Sequence, residues 1–434
     1  MSPTASSAPE VRLPGLHCLE HELAVPLDHA QPAGETIRVF ARELRALEPG
    51  AEKRPFLVFL QGGPGFASPR PESASGWIGR ALREFRVLLL DQRGTGRSTP
   101  LDAESVTARG GPEEQARYLA CFRMDSIVED CERLRAHLIG DQRWALLGQS
   151  FGGFCSTRYL SAHPEALSLV LITGGLPPLS ASAEEIYRRT YRLVDERNRQ
   201  YYARYPRDVE RIGALRQRLR DEDVRLPNGD RLTPRRLQLL GLNFGFKGGY
   251  ETVHDLIEQA FPAGCEGARL GLPFLKGVEA NQAYDTNPIF ALLHEGCYTQ
   301  GAASNWAAER VRAEFARFDP EHEGALWFTG EMIYPWMLEE FGALAPMREA
   351  GELIARKADW PALYDPEVLA HNEVPVAAAV YHDDMYVERA YSLETAAAIR
   401  GCRVWITNEH EHNGLRADGE GVISHLLDLA RGRA

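Results

Sequence analysis

The chain has 434 residues, 44% apolar and 25% charged, with 49 basic against 61 acidic side chains and a formal charge of −12. That is an ordinary globular composition, long enough to bury a core without staples and, at roughly 150 residues per domain, to form two or three structural units. The acid excess argues against nucleic acid as a partner, because such binding starts from clustered Lys and Arg on phosphates. The seven cysteines (Cys18, Cys121, Cys131, Cys155, Cys265, Cys297, Cys402) are scattered without paired spacing. Free thiols in a reducing compartment are therefore expected, rather than a metal site or a redox couple. The opening MSPTASSAPEVRLPG shows no basic stretch followed by an apolar run, and the longest uncharged stretch, Ala166 to Ala183, is interrupted by Gly174, Gly175, Pro177 and Pro178. Neither a secretion signal nor a membrane span is expected, and the location predicted is the cytoplasm.

From about Leu19 to Leu179, short apolar runs alternate with turns and helical patterns: IRVFARELRA, PFLVFLQGGPG, FRVLLLDQRGTG, WALLGQS and LSLVLITGG. Runs of four to six apolar residues ending in Gly-rich turns predict buried strands of a largely parallel sheet. Between two of them SIVEDCERLRAHLIG repeats its apolar residues at helical spacing, so the alternation of strand, helix and strand predicts an α/β fold. Between about Ser180 and Asp365 the rhythm changes. A long charged helical pattern, broken at Pro206, is followed by LTPRRLQLLGL, YETVHDLIEQAF and NWAAERVRAEFARF, which predicts a mostly helical block. Strand texture then returns in VPVAAAVYHDD and RVWITNE, with helical SLETAAAIRG between them and GVISHLLDLARG at the end. The predicted organisation is a core of residues 1–179 and 366–434, interrupted by a helical cap, 180–365.

The strongest local signal is WALLGQSFGGF, in which a strand runs through Gly148 and Gln149 into Ser150 and a helical pattern follows at once. Small residues two before and two after a serine let the chain turn sharply and present the hydroxyl at the sheet's edge. A serine hydroxyl needs a base to activate it and an acid to orient the base. The acid is expected in the loop after a returning strand, AVYHDDMYV, where Asp383 and Asp384 compete and Asp384, one residue deeper, is favoured. The base is expected after the last strand, in RVWITNEHEHNGL. There His412, beside the turn-forming Asn413 and Gly414, is favoured over His410, and His382 is a weaker alternative. LQGGPGF brings backbone N–H groups close to a substrate oxygen, and Gly63 together with the Phe151 N–H are the expected oxyanion donors. In DQRGTGRSTP the Walker spacing and lysine are missing, so a structural loop is expected, with Asp91 and Arg93 able to brace the site as an ion pair.

Taken together, LQGGPGF, DQRGTGRSTP, GQSFGGF, YHDDMYV and EHEHNGLR resemble the proline iminopeptidase (prolyl aminopeptidase) family of α/β-hydrolases, in the family's order and over nearly the whole chain. Gln61 stands where shorter members carry histidine, which points to the longer, larger-capped subgroup. The resemblance implies an α/β-hydrolase fold with a large cap. It also implies hydrolysis of an N-terminal residue, typically proline, from a short peptide through an acyl-enzyme, with Ser150 as nucleophile, Asp384 as orienting acid and His412 as general base. No metal or organic cofactor is implied. Such enzymes hold the substrate's free amine with cap carboxylates, for which Glu295 and Glu331 are the candidates and Glu251 a third. Phe66, Phe151, Trp306, Tyr334 and Trp336 are candidates for an apolar proline slot. Two alternatives share the fold: a carboxylesterase or broader aminopeptidase, including a tripeptidyl type, on the same triad, and a non-catalytic binding protein. Oligomeric state is not readable from the sequence.

Overall fold

The structure is a computed structural model that describes residues 10–263 and 269–434; Cys265 and the first nine residues of the opening segment lie outside the described residues. Its centre is a single nine-stranded sheet. The strands are β1 (Glu10–Leu13), β2 (Leu16–Pro26), β3 (Thr36–Arg45), β4 (Phe56–Leu60), β5 (Arg86–Asp91), β6 (Trp144–Gln149), β7 (Leu167–Thr173), β8 (Val376–Tyr381) and β9 (Cys402–Thr407). Their order across the sheet is β1-β2-β3-β5-β4-β6-β7-β8-β9. The first three strands pair antiparallel and β3 joins β5 antiparallel, while the pairings from β5 through β4 to β9 are parallel.

The continuous apolar runs become the central strands because both faces are covered. All five residues of β4 and all six of β8 are buried. Successive side chains alternate between the two layers. Leu57, Phe59 and Leu147 pack with Ile78 of the helix Gly76–Ala81 and with Ile423 and Leu427 of Gly419–Ala430. Val58, Leu60 and Leu146 point the other way, toward Ile127 and Cys131 of Met124–Ile139 and Phe154 of Phe151–Ala162. Each fully buried Val, Leu or Phe contributes about 1.5–3 kcal/mol, so this double layer holds the strand ends that carry the site in fixed register. The strands β1 and β2 were not expected. In LHCLEHELAVP the apolar residues are interrupted by His and Glu because one side of β2 is only partly covered.

After β7 the chain leaves the sheet for the helices Ala183–Arg204, Asp208–Asp221, Gly249–Glu258 and several shorter ones, and it returns at β8. The first of these starts as its sequence dictates: Ser182 accepts from the Glu185 N–H while the Glu185 carboxylate accepts from the Ser182 N–H, a reciprocal cap. It stops just before Pro206, as the charged pattern predicted. NWAAERVRAEFARF gives less helix than its pattern promised, only Ala307–Arg312 and a short 3₁₀ turn at Ala316–Phe318. The six described cysteines are free, and no helix among the described residues is long and apolar enough to cross a membrane.

Candidate active site

β6 and β5 lie on opposite sides of β4, so the chain changes direction across the sheet there. In parallel sheets such a point opens a crevice at the carboxyl ends of the strands, where ligands bind. Ser150 stands at this crevice, between the end of β6 and the helix Phe151–Ala162, with φ 54° and ψ −124°. A left-handed φ on a residue with a side chain is strained, and the surroundings hold it there. The Ser150 N–H donates to the Thr173 carbonyl at 3.0 Å and the Ser150 carbonyl accepts from Gly153 at 2.7 Å. Gly152 is required by contact: a Cβ there would sit 1.8 Å from the Leu60 carbonyl oxygen.

The structure brings Ser150, His412 and Asp384 together although 262 residues separate serine from histidine. Ser150 Oγ lies 2.8 Å from His412 Nε2, and His412 Nδ1 lies 2.7 Å from Asp384 Oδ2. A carboxylate only accepts, so Nδ1 carries the imidazole proton and Nε2 is left to accept from the Ser150 hydroxyl. The other oxygen of Asp384 accepts from the N–H groups of Tyr386 at 2.9 Å and Val387 at 3.0 Å, which fixes its plane. All three side chains are buried. Burial opposes the charged imidazolium of His412, but the charge and hydrogen bond of Asp384, with Glu331 adding, outweigh it and raise its pKa above the ordinary value.

The competing residues are placed elsewhere. Asp383 pairs with His382 at 2.9 Å on the exposed side of the loop. His410 faces Tyr381 and Trp405, with ring centroids 6.5 and 6.1 Å away. The expected ion pair between Asp91 and Arg93 does not form, because neighbours two apart in this loop turn to different partners. Asp91 takes Arg70, at 3.0 Å between Nη1 and Oδ1, while the fully buried Arg93 takes Asp130, at 2.7 Å from Nε.

Above Ser150 lies a cavity of about 800 Å³. Gly62 and Gly63 line its floor, and a Cβ on Gly62 would be 3.1 Å from the Ser150 Cβ. The Phe151 N–H, as the first of its helix, has no acceptor within it. Phe66, Leu242, Phe246, Phe290 and Tyr386 supply the apolar wall, and Glu331 projects among them. Of the expected proline slot only Phe66 lines this cavity. Phe151 is buried in the core, Trp306 borders a separate void, and Tyr334 stacks on Trp336 while its hydroxyl meets Tyr191 at 2.8 Å. Leu242, Phe246, Phe290 and Tyr386 were missed, although Tyr386 sits two residues past Asp384.

The three candidate amine anchors also separate. Glu331 is half-buried, has no ion-pair partner among the described residues, and lines the cavity. Burial pushes its carboxyl up to about 7, His412 pulls it down, and Asp384 adds to the rise. Its segment is held by Asn198, which accepts from the Phe328 N–H at 2.8 Å, and by the Thr329 N–H, which donates to the Gln238 carbonyl at 2.9 Å. At Gly330 the backbone passes so close to the helix Ala183–Arg204 that a Cβ would meet Val194 at 2.7 Å, and Met385 of the acid's loop lies at 3.3 Å. That close passage sets Glu331 beside the triad. Glu295 is not among the residues lining the cavity. Its two oxygens accept from the N–H groups of Ala307 at 3.1 Å and Ala308 at 2.9 Å, capping the helix Ala307–Arg312 beside a void of about 10 Å³. Glu251 pairs with Arg204 at the surface.

A serine on a strained turn at the end of a parallel strand, joined through histidine to an acid from the far end of the chain, on this strand order, defines an α/β-hydrolase. Residues 55–229 match the family model described as alpha/beta hydrolase fold. The chain is 52% identical over 420 residues to a proline iminopeptidase of Aeromonas sobria, covering 96% of this chain and 98% of the relative. It is 35% identical over 422 residues to proline iminopeptidase aneH of Aspergillus aculeatus, covering 95% and 94%. A solved bromoperoxidase from Bacillus anthracis superposes with a TM-score of 0.42 at 15% identity, over 95% of this chain and 100% of that one. The chain belongs to the proline iminopeptidase family.

Proposed function

We propose that this protein is a serine aminopeptidase that removes an N-terminal residue, preferentially proline, from short peptides through an acyl-enzyme. The observation that carries the reading is a half-buried carboxylate, Glu331, with no ion-pair partner among the described residues, lining the same cavity as Ser150 and His412, which Asp384 orients. A charge partly withdrawn from water without a partner is costly, and a substrate's ammonium is the partner this one lacks. In the reaction, His412 Nε2 takes the proton as Ser150 Oγ attacks the scissile carbonyl. The developing oxyanion is held by the N–H of Phe151 and one from the Gly62 and Gly63 pair. His412 then protonates the leaving amine, and water, activated the same way, releases the N-terminal residue and restores Ser150.

Residues 1–179 with 366–434 would form the core that carries the triad, and 180–365 the cap that contributes Glu331. The free cysteines support a reducing, cytoplasmic setting. The test is hydrolysis of a proline arylamide, its N-acetylated form and a simple ester lacking an amine. An amine-reading aminopeptidase cleaves the first and rejects the second, and Ser150→Ala lowers the rate by on the order of 10⁶-fold. Equal cleavage of the free and acetylated compounds would assign the triad to an esterase instead.

A further inference from the structure

Glu331 accounts for one end of a peptide. The other end of a short peptide carries a free carboxylate, and the cavity lining holds one permanently charged cation to meet it, the solvent-exposed Arg416. Its ionisable lining consists of Glu72, Glu331, Tyr386, His412 and Arg416. Arg416 lies in the single helical turn Gly414–Ala417, four residues beyond His412. Its side chain forms no ion pair and no hydrogen bond among the described residues. Arginines in or just after the helices that contact this turn, Gly76–Ala81 and Gly419–Ala430, are engaged: Arg80 and Arg431 with Glu84, and Arg83 with Glu420. The acids nearest Arg416 in sequence are committed as well, Glu420 to Arg83 and Asp418 to the Gly421 N–H at 3.1 Å, where it caps the closing helix.

The turn that carries Arg416 is firmly seated. Leu415 is buried, Gly414 packs on the Tyr381 ring, and Gly419 lies against the backbone of Trp77. His412 and Asn413 form a turn that leads straight into the helix carrying Arg416, and His412 and Arg416 line the same cavity. An extended residue spans about 3.5 Å, so a carboxylate one or two residues past the scissile bond extends roughly 4–7 Å from Ser150 along the cavity whose lining includes Arg416. Arg416 belongs to the core rim beside Ser75, Gly76 and Trp77, whereas Glu331 reaches in from the segment between β7 and β8.

We propose that Arg416 binds the C-terminal carboxylate of the leaving fragment, so that the enzyme selects di- and tripeptides by both charged ends, with Glu331 on the amine and Arg416 on the acid. This rests on the aminopeptidase reading given above. The exposed Glu72 also lines the cavity and would oppose the same carboxylate.

The test compares Pro-Leu and Pro-Leu-Gly as free acids and as C-terminal amides on wild type, Arg416→Gln, Arg416→Lys and Glu72→Gln, at low and high salt. Wild type should favour the acids by about two- to fivefold in kcat/KM, mostly through KM, as one exposed charge contact allows. Arg416→Gln should bring the acids down to the amides, Arg416→Lys should restore part of the preference, and high salt should weaken it. Glu72→Gln should hold the acid-to-amide ratio at or above that of wild type. Equal kcat/KM for acids and amides in wild type, or equal losses on both in Arg416→Gln, would overturn the proposal while leaving the aminopeptidase reading in place. A wild type that cleaves neither the amides nor a proline arylamide would fail at the earlier step, and this proposal would fall with it.

Discussion

Glu331→Gln separates the role of the cavity carboxylate from that of the triad. Glutamine keeps the shape and one acceptor, so the Phe328 to Thr329 anchors and the Gly330 contact are undisturbed. What is lost is the charge opposite a buried ammonium. Removing one partner of a buried ion pair costs about 3–5 kcal/mol. At 1.4 kcal/mol per decade, that is about 10²- to 4 × 10³-fold in kcat/KM for a proline arylamide. The assay pairs this substrate with an ester that has no amine, on which the variant should stay within about threefold of wild type. The pH profile on the ester gives a second reading. Glu331 contributes to raising the His412 pKa, and His412 must be neutral to act as base. Without Glu331 the His412 pKa falls, so the acid limb of the ester profile moves to lower pH. Near wild-type activity on the arylamide, or an acid limb that moves upward, would refute the assignment.

Asp384→Asn leaves the geometry in place but removes the acceptor that fixes the His412 tautomer, and kcat should fall by about 10⁴-fold with KM little changed. Glu295→Gln replaces one acceptor with an amide N–H facing the donors of Ala307 and Ala308. It should lower stability by about 1–3 kcal/mol in urea unfolding while kcat/KM per folded molecule is retained. Arg197, in the helix Ala183–Arg204, donates to the Asp383 carbonyl and pairs with Glu411 at 3.3 Å, touching the neighbour of each of Asp384 and His412. Arg197→Ala should loosen both loops and lower kcat by about 10- to 100-fold, with Arg197→Lys recovering part; an unchanged kcat in Arg197→Ala would show that the loops hold without it. Because the folded-state pKa of Glu331 is raised from 4.5 to about 7, its contribution to stability is complete below pH 4.5 and is lost as pH rises through about 7. The thermal midpoint of wild type should therefore drop more between pH 5 and 8 than that of Glu331→Gln.

The sequence exposed those parts of the site that depend on local backbone demands, and it concealed those that depend on which surface a side chain meets. GQSFGG is legible because a sharp turn needs small residues wherever it occurs, and the continuous apolar runs of β4, β6 and β8 are legible because strands covered on both sides leave no room for alternation. The choice of Asp384 over Asp383 was a matter of one residue. Its physical basis is the pair of N–H groups from Tyr386 and Val387 that turn the inner carboxylate toward His412 and leave the outer one to His382. Glu295 and Glu331 could not be distinguished, since both stand among apolar and aromatic neighbours in the chain. Glu295 is taken by donors twelve and thirteen residues away, on a helix reached through the left-handed turn of Asn305 and Trp306. Glu331 meets no such donors and stays free for a ligand. The Asp91 and Arg93 expectation failed for the same reason. Proximity in a loop does not decide a pairing when partners 21 and 37 residues away, the exposed Arg70 and the buried Asp130, offer two hydrogen bonds each. A free charge at a cavity wall is thus defined by what fails to reach it. Only the folded chain, in which every competing donor has a position, shows that Glu331 is the acid left over.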